Sequence, residues 1–150
     1  MQSYHVEVDD NKTIRWYNNS TEKKLHRVDG PAIECANGYK AWYLNGQCHR
    51  VDGPAVEYYD GAKHWYLNDQ LHRVDGPAIE EADGHKEWFL NGQYHRVDGP
   101  AIEWANGNKF WYLNGKELTE SQHQAAIKQV DSCEGKVVEV EGKKYKLISV

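Results

Sequence analysis

The sequence predicts a mainly β fold: an elongated antiparallel β-meander, or solenoid, of stacked β-hairpin repeats, closed by a short C-terminal helix and hairpin. The first observation is a period of 23 residues, because the phrase HRVDGPA begins at His26, His49, His72 and His95. The second is that every period contains a proline and at least two Asn-Gly or Asp-Gly pairs, which favour turns over helix. A unit this short cannot bury its own apolar face, so stacking on neighbouring units must stabilise it.

The period divides the 150-residue chain into three parts. Residues 1–25 are predicted to be a degenerate N-terminal repeat or cap, because RWYNN at 15–19 echoes the KAWYLN of the first copy. Residues 118–150 leave the pattern and are predicted to form a helix and a β-hairpin. Four copies lie between these parts without insertion, at 26–48, 49–71, 72–94 and 95–117.

The fourth copy shows how each repeat is expected to fold. Asp98-Gly99-Pro100 is a turn signal, in which the glycine is expected to tolerate a positive φ and the proline to start the next strand. Residues 101–105 alternate as a strand, Asn106-Gly107 predicts a hairpin turn, and residues 109–113 form the return strand. Asn114-Gly115 predicts a second hairpin turn, so consecutive copies form one antiparallel meander.

The expected register follows from the first hairpin turn of the first copy. If Asn37-Gly38 forms a two-residue loop, Ile33 lies opposite Trp42. Ile33, Trp42 and Leu44 then share the face that is the candidate core, and Tyr43 lies on the other face. Because side chains alternate along a strand, a slip of one residue would exchange the two faces.

The C-terminal segment has signals of its own. Thr119 and Gln122 fit a capping box, which predicts a helix at 120–131. Alternating residues around Glu141-Gly142 predict a hairpin at 136–149. The segment is either a cap that closes the last edge of the array or a docking element for a partner, and the sequence leaves both interpretations open.

Composition argues against several classes of protein. A net charge of -5 without a basic stripe makes nucleic-acid binding unlikely. No apolar stretch approaches the roughly 18 residues of a transmembrane helix, and the N-terminus lacks the features of a signal peptide. Three cysteines without a CxxC motif are typical of free thiols in a reducing compartment, so we expect a cytoplasmic protein.

The phrase W-Y-L-N-G…H-R…D-G-P-A over residues 26–117 resembles a MORN repeat. Arg-Val-Asp-Gly-Pro follows the histidine where MORN units tend to have a shorter Gly-x-Gly, so the chain is similar to a MORN-like variant. HRxDGPA arrays also resemble repeat proteins of tailed bacteriophages and large DNA viruses. The resemblance implies stacked hairpins that bind a partner or, as in some MORN proteins, an acidic lipid. For a phage protein it implies an inhibitor of a host protein, such as a defence component, in the host-cell cytoplasm.

A His-Arg pair opens every copy and admits two interpretations. One is a ridge that binds an anionic small molecule or nucleotide. The other is structural, with Arg27 paired with Asp29 or Glu34, and with the histidine packed on tryptophan and hydrogen-bonded to a turn carbonyl. The structural interpretation is favoured because residues identical in every copy usually hold repeats together. We call this set the His–Arg ladder: His26, Arg27, His49, Arg50, His72, Arg73, His95 and Arg96.

Catalysis and metal binding are not expected, and no cofactor site is predicted. Equivalent residues of adjacent copies lie at least two strands apart, or about 10 Å. The histidines therefore do not converge on one zinc ion, and glutamates of different copies do not form a glycosidase pair. Cys133 is a nucleophile by residue type only. The remaining charged rows are predicted to be cross-strand ion pairs between Glu34, Glu57, Glu80, Glu103 and Lys40, Lys63, Lys86, Lys109.

Three of the positions that differ between copies are candidates for binding, because the fold does not constrain them. They contain Cys35, Tyr58, Glu81 and Trp104; Tyr39, Ala62, His85 and Asn108; and Ala41, His64, Glu87 and Phe110. Exposed aromatic residues are enriched at interface hot spots. A core position under the C-terminal helix is an equal alternative for Trp104 and Phe110. The predicted residues for binding a protein partner are Tyr58, His64, Glu81, Glu87, Trp104, Phe110 and Tyr112.

Overall fold

The computed structural model describes residues 4–133, 137–140 and 143–146, with side chains described through residue 128. Its main feature is an antiparallel sheet of eleven strands that follow one another along the chain as a meander. One helix, α1 (Glu120–Cys133), follows the last strand of this sheet. The predicted mainly β fold class is therefore confirmed.

The strands of the sheet are short, and each pairs with the strands before and after it. In sheet order they are β1 (His5–Val8), β2 (Ile14–Tyr17), β3 (Ile33–Glu34), β4 (Lys40–Ala41), β7 (Val56–Glu57), β8 (Lys63–His64), β11 (Ile79–Glu80), β12 (Lys86–Glu87), β15 (Ile102–Glu103), β16 (Lys109–Leu113) and β17 (Lys116–Leu118). The other strands form two-stranded hairpins: β5 (Tyr43–Leu44) with β6 (Gln47–Cys48), β9 (Tyr66–Leu67) with β10 (Gln70–Leu71), β13 (Phe89–Leu90) with β14 (Gln93–Tyr94), and β18 (Val137–Val140) with β19 (Lys143–Lys146).

Each copy contains two hairpins whose turns differ in length. In the first turn of the first copy, the Cys35 N–H donates to the Tyr39 carbonyl at 2.9 Å and the Gly38 N–H donates to the Cys35 carbonyl at 3.0 Å. Gly38 has a φ of 96°, so the loop is the three-residue form with a left-handed last residue. In the second turn, Asn45 and Gly46 have φ values of 54° and 88°, which is the two-residue turn that the sequence predicts.

The predicted register is wrong by one residue. Ile33 lies opposite Ala41, and Glu34 lies opposite Lys40. The reason is the extra residue in the first loop, which shifts the return strand by one position and so exchanges its faces. Trp42 therefore lies on the face opposite Ile33, and the proposed Ile–Trp–Leu core does not form.

The sheet has two faces of different composition, to which we give names. The variable face contains Ile33, Cys35, Tyr39, Ala41 and Tyr43 with their equivalents in the other copies. The ladder face contains Glu34, Lys40, Trp42 and Leu44 with their equivalents and the arginines of the His–Arg ladder. These assignments follow from the cross-strand pairs and from the ion pair between Arg27 and Glu34 at 2.9 Å.

The core is thin, which fits the low mean hydropathy of the sequence. The alanine of each Gly-Pro-Ala phrase has no solvent exposure, at Ala32, Ala55, Ala78 and Ala101. In the described part of the chain no large side chain is completely buried. Small residues at the centre and aromatic rings at the margins therefore replace a conventional core, as around Ala41, Cys48, Ala55 and Val56 with Tyr43, Tyr58 and Tyr66.

The C-terminal helix begins at the predicted capping box and packs against β16 and β17. The Gln122 N–H donates to Thr119 Oγ1 at 3.2 Å, and the Thr119 N–H donates to Gln122 Oε1 at 2.9 Å. His123 is 3% exposed, and its Nε2 donates to the Arg96 carbonyl at 2.7 Å. Strands β18 and β19 lie within the predicted hairpin, whereas 136, 141–142 and 147–149 fall outside the described residues. No helix in the described ranges has the length and apolar character needed to cross a membrane.

Candidate interaction surfaces

The arginines of the ladder face are held by contacts within the chain. Arg50 places its guanidinium carbon 4.1 Å from the ring centroid of Trp42, which belongs to the preceding copy. Its Nε donates to Asp52 at 2.9 Å, and its Nη1 donates to the Pro54 carbonyl at 3.1 Å and to Glu57 at 3.3 Å. Arg27, Arg73 and Arg96 make the equivalent contacts on Trp16, Trp65 and Trp88, at 4.1, 4.0 and 3.9 Å.

The glycine of each Asp-Gly-Pro turn makes room for the arginine that stacks on tryptophan, and it is not required by a left-handed backbone conformation. A Cβ atom on Gly53 would lie 3.0 Å from the guanidinium carbon of Arg50, and one on Gly76 would lie 2.9 Å from that of Arg73. Neither glycine has a positive φ. The prediction that glycine is present because it tolerates a positive φ is therefore wrong at these positions. The guanidinium occupies the space of the missing side chain and is enclosed between a tryptophan ring and a turn.

The histidines of the ladder accept hydrogen bonds from the second turn of the same copy. The Asn91 N–H donates to Nδ1 of His72 at 3.1 Å, and the Asn114 N–H donates to Nδ1 of His95 at 3.1 Å. One residue later, the Gly92 N–H donates to the Leu71 carbonyl of the preceding copy at 2.9 Å. The histidine bonds therefore hold the second turn within its copy, and the backbone bond joins that turn to the preceding copy.

Clefts of similar size separate successive turns of the ladder face. The cleft between the third and fourth copies has a volume of about 590 Å³ and is lined by Val74, Trp88 and Val97 among others. In the cleft that follows, of about 600 Å³, His123 and Ile127 of α1 face Trp111. The helix therefore stands where the turn of a fifth copy would stand, and it forms one wall of the cleft that the last tryptophan of the repeat also lines.

The three variable positions singled out in the sequence all lie on the variable face. One row of consecutive cross-strand partners crosses the sheet through Ile33, Ala41, Val56, His64, Ile79, Glu87, Ile102 and Phe110. The neighbouring row contains the other two positions, because the Tyr58 N–H donates to the Ala62 carbonyl and the Trp104 N–H to the Asn108 carbonyl, both at 2.9 Å. Residues far apart in sequence thus form one continuous surface.

Polar and aromatic contacts connect the predicted site residues of the second and third copies. The Tyr58 ring lies 4.8 Å from the His64 ring and 5.6 Å from that of Tyr39. His64 Nε2 donates to Glu81 at 2.9 Å. Burial raises the pKa of Tyr58 above its ordinary value, and it raises the pKa of the nearby Cys48 thiol to about 12, which keeps that thiol protonated.

A second network surrounds Glu87 and includes a residue that sequence reasoning missed. His85 Nε2 donates to Glu87 Oε1 at 2.7 Å, and the Tyr94 hydroxyl donates to Glu87 Oε2 at 2.9 Å. Burial, followed by this hydrogen bond, raises the pKa of Tyr94 to about 12. The Tyr94 ring also lies 5.0 Å from that of Tyr112. The missed signal was a further variable position, which contains Cys48, Leu71, Tyr94 and Glu117.

Trp104 is the tryptophan of the variable face. It is 45% exposed, and its ring lies 5.3 Å from Phe110 and 6.3 Å from His85. The helix faces Trp111 on the ladder face, so the described part of the helix does not cover Trp104. The side chain of Cys133 lies outside those that the structure describes.

Comparison of this chain with protein-family models and with curated proteins found no match. Among the described residues, no three or more His, Cys, Asp or Glu side chains are grouped in a way that could hold a metal ion. The surfaces of the sheet are therefore the features from which a function can be argued.

Proposed function

We propose that this chain is a non-catalytic repeat module that binds another protein through its variable face. The observation behind the proposal is the division of residues between the two faces. Among the residues that are identical in every copy, the arginines and glutamates of the ladder face have partners within the chain, as Arg50 has in Trp42 and Glu57. Three positions that differ between copies lie together on the variable face. A surface that varies while its scaffold repeats is typical of repeat proteins that recognise a partner.

The composition of the variable face supports a protein as the partner. It combines tyrosine, tryptophan and phenylalanine rings with a few hydrogen-bonded carboxylates, which is the composition of interface centres. Trp104 is the largest exposed ring among them. By the resemblance of the motif to MORN-like and phage repeats, a specific form of this proposal is an inhibitor of a host protein.

An anion-binding ladder is the less supported alternative. Each ladder arginine already pairs with two carboxylates, as Arg73 does with Asp75 at 3.0 Å and Glu80 at 2.8 Å. A phosphate or nucleotide would have to displace these partners and expose a carboxylate beside itself. The ladder geometry is therefore better explained by stability than by anion binding.

Affinity capture with face-specific variants tests the proposal. The tagged full-length chain is incubated with lysate of the host cell, and bound proteins are identified by mass spectrometry. The double variant Trp104→Ala with Glu81→Ala should lose the partner. The control Val51→Ala with Val74→Ala, at ladder-face residues that are each 83% exposed, should retain it. Loss in the valine control alone would refute the assignment of the binding face, and a bound nucleotide released from the purified chain would favour the anion alternative.

A further inference from the structure

The two faces of the sheet differ in charge as well as in variability. On the ladder face each copy contributes one Arg, one Lys, one Asp and one Glu, which cancel, and the fourth copy adds Lys116. Within residues 26–117, all of which the structure describes, the rows of the variable face contain no Lys or Arg. They do contain three carboxylates, those of Glu81, Glu87 and Glu117, of which the last lies opposite Tyr112. The C-terminal half of the variable face is therefore negative.

The exposed ring of Trp104 lies within this negative region. His85 has its ring 6.3 Å from that of Trp104 and donates from Nε2 to Glu87 Oε1 at 2.7 Å. Glu87 is opposite Ile102 of β15, and Trp104 follows Ile102 by two residues, just beyond the end of that strand, so the carboxylate and the indole lie on one face. The Glu87 side chain is 17% exposed, and its two oxygens already accept hydrogen bonds from His85 and Tyr94. A carboxylate has lone pairs for further donors, so an arginine stacked on Trp104 would share Glu87 with these two residues.

The ladder face contains four examples of a tryptophan and a glutamate that together bind one arginine. On the ladder face Trp16, Trp42, Trp65 and Trp88 each hold an arginine at 3.9–4.1 Å, and each of these arginines also pairs with a glutamate. Trp111 has Thr119 in the place of that arginine and is faced by α1 instead. Trp104 differs from all of these, because its ring is exposed beside a carboxylate and no arginine of the chain contacts it in the described structure.

We propose that the variable face binds an arginine side chain of the partner, with the guanidinium stacked on Trp104 and paired with the carboxylate of Glu87. This inference rests on the proposed function, since it names the chemistry of the partner segment. Arginine fits better than lysine because a planar guanidinium stacks on an indole while it donates to a carboxylate in its own plane. The rings of Phe110 and Tyr112 nearby suit apolar residues that flank the arginine in the partner.

Selection of displayed random peptides on the immobilised full-length chain tests the inference, because it requires no identified partner. Selected peptides should be enriched in arginine next to apolar residues. Replacing that arginine by glutamine in a selected peptide should weaken its binding by at least about tenfold, since a charge-assisted hydrogen bond and a cation–π contact are lost together. Raising the salt concentration should also weaken binding, and an affinity that does not depend on salt would overturn the inference.

Variants of the chain separate this inference from the proposed function. Glu87→Gln keeps the size of the side chain, removes the charge and leaves one acceptor oxygen where His85 and Tyr94 use two, and it should reduce the affinity for the arginine peptide by about tenfold. Glu22→Gln makes the same chemical change at an exposed residue outside the four copies and should change nothing. Peptides that need Trp104 but contain no arginine would overturn the inference and leave the binding face intact. Peptides whose binding is lost only in Val74→Glu, a variant of the ladder face, would overturn both the arginine inference and the proposed binding face. Failure to select any arginine peptide would overturn the arginine inference.

Discussion

The guanidinium carbon of Arg73 lies 4.0 Å from the ring centroid of Trp65, a residue of the preceding copy. The contact joins two copies that share few large buried side chains, so the array depends on it for stability. The same arginine reaches forward to Asp75, Pro77 and Glu80 within its own copy. One side chain therefore connects a ring, a turn and a strand.

Replacing this arginine should destabilise the array. We expect Arg73→Ala to lower the free energy of unfolding by about 2–4 kcal/mol, because the cation–π contact and two ion pairs are lost and Glu80 remains half-buried without its partner. Arg73→Lys should recover only part of this loss, since an ammonium group cannot make the same planar contacts. Chemical denaturation measures the effect, and Val74→Ala, at an exposed neighbour, is the control. An unchanged midpoint in Arg73→Ala would contradict the role assigned to the ladder.

A double-mutant cycle tests why glycine is needed in the Asp-Gly-Pro turn. Gly76→Ala should cost about 1–3 kcal/mol, because the new Cβ would lie 2.9 Å from the Arg73 guanidinium carbon. In the Arg73→Ala background the same change should cost much less. Gly84→Ala is the matched control: Gly84 has a φ of 93° and nothing within 4 Å of a Cβ, so its cost of about 1 kcal/mol should be additive with Arg73→Ala. Equal behaviour of the two glycines would contradict the stacking explanation.

Stability should fall in acid because of the turn aspartates. Hydrogen bonding to Arg50 and Arg73 lowers the pKa of Asp52 and Asp75 below the ordinary value of 3.8. A carboxyl with a lower pKa in the folded state contributes stability above its unfolded pKa and loses it as the pH falls through its folded pKa. The free energy of unfolding should therefore decrease below about pH 4, and less steeply in Asp52→Asn with Asp75→Asn. Asp10→Asn, an exposed turn residue, should retain the wild-type slope, and high salt should reduce the difference.

The helix is expected to act as a cap on the fourth copy. His123→Ala removes a buried donor to the Arg96 carbonyl and should lower stability by about 1–3 kcal/mol. Hydrogen exchange should accelerate most in β15, β16 and β17, because the opening is local. Gln124→Ala, at an exposed position of the same helical turn, is the control. If exchange in the fourth copy did not change, a docking element would explain the segment better than a cap.

Truncation of Trp65 and of Trp104 should lower the free energy of unfolding by very different amounts. Trp65→Ala removes the ring under Arg73 and should cost about 3–5 kcal/mol, as for a core aromatic residue. Trp104→Ala should cost at most about 1 kcal/mol, because nearly half of the ring is already in water. Thermal and chemical denaturation of both variants measure the difference. A large loss of stability in Trp104→Ala would show that the residue is core and would refute its role in binding.

Much of the architecture could be read from local patterns. The period, the positions of both turns in each copy, the capping box at Thr119 and the start of the helix all depend on residues that are close in sequence. Each is encoded by turn and capping chemistry, which acts over a few residues. The sequence left open whether Trp104 is a surface or a core residue, and in the structure it is 45% exposed, whereas the variable positions Ala41 and Ala62 are buried.

The tertiary structure decided which residues share a face. A three-residue loop in place of a two-residue loop at Gly38 moved Trp42 from the expected core to the ladder face, because alternation along a strand converts one residue of slip into a change of side. The stack of Arg50 on Trp42 joins the first and second copies, and the hydrogen bond of His64 to Glu81, 17 residues away, joins the second and third. Such contacts depend on register and strand order together, so the residue types alone did not reveal them.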